Sequence, residues 1–217
     1  MTSPVFPGQT SPVKRTPMAA AVSVFITVFL ITVIIATAIT FILPDSYAST
    51  ARIKLEPKAS QGTNAAIYDP YFVQTEFEVM QSQVVLEPVI TKLNLNVEWG
   101  KKYFNGATLK SAESMEILKG RLSLATVRGT KLIAITVYSD DRNETARIAN
   151  AIAESYQEYA VGKNYPTGAV QIIDRAEPGR YPVKPNKPLN IGLGVVAGIV
   201  LGALAAMIVG LFASRKN

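Results

Sequence analysis

Apolar side chains fall along this chain in three rhythms, and each predicts a different kind of element. From Thr16 to Pro44, and again from Pro188 to Ser214, the run is continuous, with no ionisable side chain. A hydrocarbon core ~30 Å thick takes ~20 helical residues, so both runs are long enough to span it. Inside hydrocarbon the backbone has to satisfy its own hydrogen bonds, which makes each run a helix. Spans at 18–43 and 189–213 follow, the first reading as a plain hydrophobic anchor. A signal h-region is ~7–15 residues, so a cleaved leader ending near Ser46-Tyr47-Ala48 is the weaker reading of the first run.

Between the runs the rhythm alternates. Ser49 to Leu55 has period two, the mark of a half-buried strand, and Pro57 ends it. Ser60 to Ala66 are small and polar and read as a loop. Helical spacing then takes over: Val73, Phe77, Met80 and Val84 form one stripe at i, i+4, i+7 and i+11. Pro88 fits the first turn of a second helix with Leu86, Val89, Ile90 and Leu93 on its buried face, because a missing N–H costs nothing there. A third helix is expected over Leu109 to Lys119, stopping at Gly120.

Period two returns at Leu122, Leu124 and Thr126 and at Lys131 to Val137, which read as a hairpin about Arg128-Gly129. Asp141 and Glu144 have capping-box spacing and open a long helix to about Val161, with Ile148, Ile152 and Tyr159 on one face. A last strand covers Ala169 to Ile173. The order predicts a small mixed sheet with packed helices, an α+β domain at 44–177 between two membrane helices.

Charge orients this arrangement. The chain carries 22 Lys and Arg against 16 Asp and Glu, a formal +6. Lys14, Arg15, Arg215 and Lys216 lie in the tails at 1–17 and 214–217, which hold no acid. Basic residues close to helix ends face the cytoplasm, so both termini are expected there and the domain on the far side of the membrane. Four of the six excess charges are thus accounted for by topology, and no nucleic-acid partner is implied. His and Cys are absent. That removes the commonest general base, the best zinc ligands and one common nucleophile, and speaks against a hydrolytic or metal-dependent enzyme. No cofactor is implied.

Two features are candidates for function. Gly194, Gly198 and Gly202 recur every fourth residue, and Ala206 and Gly210 continue the row. Such a row is a groove into which another backbone fits closely, either the first span or a neighbouring subunit. The linker 178–188 has four prolines, among them Pro182 and Pro185, followed by Lys187 and Pro188; it reads as a semi-rigid strut. Lys101-Lys102-Tyr103-Phe104 could touch an anionic sugar or lipid head groups, but reads better as a solvated loop. Tyr138, Tyr156 and Tyr159 read better as core than as sugar platforms, and Asp140 and Asp141 as helix-start anions.

Four segments together resemble the polysaccharide co-polymerases, the Wzz-type chain-length determinants and their exopolysaccharide relatives. They are Pro44 to Ala51 at the membrane exit; Thr75 to Ser82 with Val85 to Ile90 and Leu93 to Leu95; Thr130 to Ile135 through Ala146 to Ile152 and Tyr156; and Pro182, Pro185, Asn186 and Lys187 before a glycine-rich span. The resemblance implies a non-enzymatic homo-oligomer in the membrane. Such a protein regulates the length or export of a lipid-linked polysaccharide (exopolysaccharide, capsule or O-antigen) beside its polymerase or exporter. The nascent glycan and the lipid bilayer are its other implied partners. An alternative is a membrane adaptor that activates a separate cytoplasmic tyrosine kinase. An extracytoplasmic sensor unrelated to glycans is a third reading. Two departures stand out: only Gly162 to Gly168 connects the long helix to the last strand, where larger members insert a helical hairpin, and the glycine row has no Gly pair. The chain stops at Asn217 without a nucleotide-binding loop, unlike relatives that continue into a kinase.

Overall fold

The computed structural model describes residues 17–57, 70–162 and 167–214. Both charged tails, the expected loop at Ser60–Ala66 and most of the Gly162–Gly168 connection lie outside the described residues. In chain order the elements are α1 (Pro17–Ile42), β1 (Tyr47–Pro57), α2 (Pro70–Met80), α3 (Gln83–Lys92), α4 (Leu95–Tyr103) and α5 (Ser111–Arg121). There follow β2 (Leu122–Thr126), β3 (Leu132–Ser139), α6 (Arg142–Gly162), β4 (Thr167–Asp174) and α7 (Lys187–Ser214). The chain divides into two units: the terminal apolar helices α1 and α7, and a domain from Asp45 to Lys184.

In the domain, β1 lies at the centre of a four-stranded sheet of order β2-β3-β1-β4. All three pairings are antiparallel, so the sheet expected to be mixed is not. Only β2 and β3 are joined by a short turn; β1 to β2 crosses over through α2–α5 and β3 to β4 through α6, so the strands in each of those two pairs run parallel with one antiparallel strand between them. Alternation sets the register. Ala51 faces Ile135 and Ile53 faces Ile133 across β1 and β3, while Leu122 and Leu124 of β2 face Val137 and Ile135. Those side chains form one face, and α6 packs on it through Ile148, Ala149, Ile152 and Ala153. On the other face Thr50 and Thr136 hydroxyls meet at 2.9 Å and Arg52 pairs with Asp174 at 3.0 Å. One apolar face and one polar face is what an antiparallel sheet tolerates.

The helices form the second layer, α3 resting on α6 and α5. Val85, Leu86, Val89 and Ile90 of α3 are buried. Each such aliphatic side chain contributes about 1.5–3 kcal/mol on leaving water. Surface ion pairs such as Arg147–Glu98 at 3.1 Å, each partner about half exposed, give about 0–1 kcal/mol. The apolar layer therefore holds this domain.

Local structure departs from the expected pattern at four places. The stripe from Val73 to Val84 does not belong to one helix: α2 ends at Met80, and Val84, in α3, is 58% exposed. Pro88 is inside α3, not in its first turn. It is tolerated because Val84, whose carbonyl it leaves without an i+4 donor, is on the solvent face. An additional helix, α4, occupies Leu95–Tyr103 after Asn94 adopts a left-handed conformation (φ 53°). The helix expected over 109–119 starts at Ser111 and runs through Gly120 to Arg121.

Candidate functional site: the helical hairpin and its proline lead-in

At 26 and 28 residues, α1 and α7 are each long and apolar enough to cross a membrane. They pack against one another. Gly194, Gly198 and Gly202 are buried along the line of contact. A Cβ on Gly194 would lie 2.5 Å from the Ala36 Cβ; on Gly198, 3.0 Å from Phe29 Cδ2; on Gly202, 2.9 Å from Phe25 Cδ2 and 3.1 Å from the Phe25 carbonyl oxygen. The partners descend along α1 as the glycines ascend α7, so the two helices run antiparallel. Hydrogen-only positions let the backbones approach, and dispersion then acts between atoms that bulkier side chains would hold apart. Ala206 is half-buried, and a Cβ on Gly210 would meet nothing within 4 Å, so the tight part of the row is its first three members.

On α1 the surfaces facing this row are Ala36, Phe29 and Phe25, the two phenylalanine rings stacked 6.2 Å apart. The reading of the first span as a plain anchor passed over them. Their signal in the sequence was the i, i+4 spacing of Phe25 and Phe29 with a small residue seven further on.

The proline-rich lead-in has two parts. Its end belongs to α7: Asn186 Oδ1 accepts the Leu189 N–H at 3.2 Å, and its carbonyl accepts Asn190 N–H at 2.9 Å. Asn186 thus caps the helix, Pro188 sits in the first turn, and the Lys187 ammonium lies 5.5 Å from the Phe41 ring centroid. Its earlier part belongs to the domain. Val183 N–H donates to Ser46 O at 2.8 Å, and Ser46 N–H donates to Lys184 O at 2.8 Å. Pro182 and Pro185 flank that bridge. Periodicity gave no hint of it, since Ser46 and Lys184 are far apart in sequence.

The polar candidates are engaged inside the domain. Lys102 and Tyr103 lie in the last turn of α4, and both donate to Asp140 Oδ1 at 2.6 Å. Burial disfavours the Asp140 carboxylate, but Lys102, Tyr103 and Ser139 outweigh it and hold its pKa at about 2. Lys102 is likewise desolvated, and its acid and phenol partners raise it above the ordinary value. Arg121 stacks 4.8 Å from Trp99 and 4.9 Å from Tyr103. Lys102 also lies 5.1 Å over Tyr103, so this ring already has two cationic neighbours.

Glu144 corrects the capping-box expectation. Asp141 Oδ1 does accept Asn143 N–H at 2.8 Å, but Glu144 turns inward. It accepts Trp99 Nε1–H at 2.6 Å, the Ser139 hydroxyl and Arg121 at 3.4 Å, so the group is a buried, satisfied acceptor. Tyr156 is buried and donates to Glu76; Tyr159 and Tyr138 are half-buried. These clusters are engaged within the domain.

Comparison with known proteins points to one class. A family model described as "Chain length determinant protein" matches residues 20–93, and one described as "G-rich domain on putative tyrosine kinase" matches 140–210. The chain is similar to the capsular polysaccharide biosynthesis protein CpsC of Streptococcus agalactiae, 26% identical over 184 residues, covering 82% of this chain and 71% of that protein. It is also similar to the capsular polysaccharide biosynthesis protein CapA of Staphylococcus aureus, 23% identical over 181 residues, covering 80% and 73%.

Proposed function

From its membership of the polysaccharide co-polymerase family of Wzz-type chain-length determinants, we propose that this chain is a non-enzymatic, oligomeric membrane scaffold that regulates the length or export of a lipid-linked polysaccharide. One observation carries the reading: the parts matched by the two family models flank the middle of the domain, and each reaches into one of two span-length apolar helices. Capsule is the polymer class, by the names of the relatives. Both basic tails face the cytoplasm, and the domain stands outside the inner membrane.

In this reading α1 and α7 form the anchor of each subunit through the Gly194, Gly198 and Gly202 face. The outward side chains of α7, such as Leu193, Val200 and Leu204, meet lipid or a neighbouring subunit. The assembled domains present a surface to the polymerase or exporter and to the nascent glycan. The likeness to chain-length determinants supports a role in binding and spacing. The adaptor for a separate tyrosine kinase is not favoured: its support is the descriptive name of one family model, while the relatives are capsular biosynthesis proteins.

Replacing Gly198 and Gly202 by Leu forces side chains into the space of Phe29 and Phe25. The expected result is loss of the detergent-solubilised oligomer and a shifted polymer-length profile. An unchanged oligomer with an unchanged profile would contradict the role of the glycine face.

A further inference from the structure

The residues that close the domain, Gly179 to Lys184, form a strap laid along the start of β1. Val183 N–H and Ser46 N–H exchange hydrogen bonds with Ser46 O and Lys184 O, each 2.8 Å long. Gly179 approaches so closely that a Cβ there would lie 2.7 Å from Ala48 O. The Lys184 ammonium sits 4.7 Å from the Tyr138 ring centroid. The backbone is thus held and Lys184 rests beside Tyr138, while the strap's other large side chains are exposed. Tyr181 is 80% exposed and Val183 48%, with Arg180 and Lys184 exposed beside them. Ordering an exposed aromatic and a β-branched residue between two cations does nothing for the domain's own core.

Chain length alone limits how far this strap stands from the apolar helices. Ser46 follows Ile42 by four residues and Lys184 precedes Lys187 by three. An extended chain covers at most ~3.6 Å per residue, so the two tethers reach no more than about 14 Å and about 11 Å. At 1.5 Å per residue, α1 and α7 measure about 39 Å and about 42 Å, longer than the ~30 Å hydrocarbon core. Their ends therefore enter the head-group layer, and the strap, tethered on both sides, is within reach of it. Tyrosine is enriched at that depth, and Arg and Lys are drawn to anionic lipid. The cations Arg180, Lys184 and Lys187 outnumber the acids of the same two segments, Asp45 and Glu177.

We propose that the strap is a lipid-binding surface that seats on anionic phospholipid head groups of the bilayer holding α1 and α7. Arg180 and Lys184 meet the phosphates, and Tyr181 and Val183 reach the level of the glycerol backbone. A soluble phosphate would leave those two apolar side chains unused. The inference rests on the reading that α1 and α7 span the membrane.

The chain has no cysteine, so single labelling sites can be introduced freely. Full-length protein carrying Y181C, I34C in mid-α1, or R128C at the β2–β3 turn is labelled with an environment-sensitive fluorophore. Each is reconstituted in phosphatidylcholine vesicles with or without phosphatidylglycerol, and lipid-borne quenchers are placed at shallow or deep positions. R128C lies at the end of β3 opposite the strap. The expected result is deep quenching at 34, shallow quenching at 181 strengthened by phosphatidylglycerol, and none at 128. R180Q/K184Q, read through the same label, should lose at least about fivefold of the preference for phosphatidylglycerol, roughly the share of one cation near an anionic surface. Position 34 quenched and 181 no more quenched than 128 would overturn the proposal, as would an unchanged preference in R180Q/K184Q. Soluble glycerol phosphate should leave quenching at 181 unaltered, and protection by it would equally overturn a lipid surface. If position 34 escapes the deep quenchers, the spanning reading fails and the strap inference with it.

Discussion

Glu76 occupies a buried position on α2, 1% exposed, and accepts the hydroxyl of Tyr156 from α6. Burial raises its pKa above the ordinary 4.5, and the Tyr156 hydrogen bond only partly opposes this. The sign of the consequence follows from linkage. As pH rises from about 4.5 toward the higher folded value, the unfolded chain releases its proton first, so stability falls across that window and stays lower above it. Glu76→Gln keeps an acceptor for Tyr156 and cannot ionise. The variant should be more stable than the native chain at neutral pH and lose that part of the pH dependence. Denaturant unfolding of both in detergent, followed through Trp99 emission from about pH 4 to 8, checks it; parallel profiles would contradict it. Glu144 shows why such residues are hard to read in advance. Its spacing from Asp141 fits a cap, but its partner Trp99 is 45 residues away and reachable only in the folded chain.

Among the elements, the strap makes the sharpest prediction. A Cβ at Gly179 would strike a backbone oxygen, which cannot swing aside as a side chain end does. Gly179→Ala should lift the strap from β1, destabilise the domain by about 1–3 kcal/mol and speed hydrogen exchange at the Ser46 and Val183 amides. Gly120→Ala in α5, where a Cβ meets nothing within 4 Å, is the control and should be neutral or stabilising by up to about 1 kcal/mol. The strands were legible beforehand because Lys131 to Val137 and Ser49 to Leu55 alternate cleanly, and register follows from which face is apolar. The two apolar helices were legible from length alone. Helix α4 was not, because its buried side is only Leu95, Trp99 and Gly100 and the rest of the segment is mostly polar. The break between α2 and α3 was hidden because Val84 happens to continue the Val73–Met80 spacing, although it faces solvent. Of the candidate site, the glycine row could be read from its period of four; its partner surface on α1 and the Ser46–Lys184 bridge are long-range contacts that no local pattern encodes.

For the molecule as a whole, several charged groups of the domain are engaged with one another among the described residues. Asp140, Glu144 and Glu76 are each hydrogen-bonded by neighbours within the domain, and Arg121 and Lys102 sit beside the rings of Trp99 and Tyr103. Exposed apolar side chains lie along the outward side of the helices, Leu193, Val200 and Leu204 among them. The central claim is that this scaffold sets the length of a capsular-type polysaccharide. The most direct measurement is the size distribution of surface polysaccharide from cells with the gene, without it, and complemented by the native chain. Loss of the gene should shift or broaden the modal length, and the native chain should restore it. A distribution that is the same in all three would contradict the account.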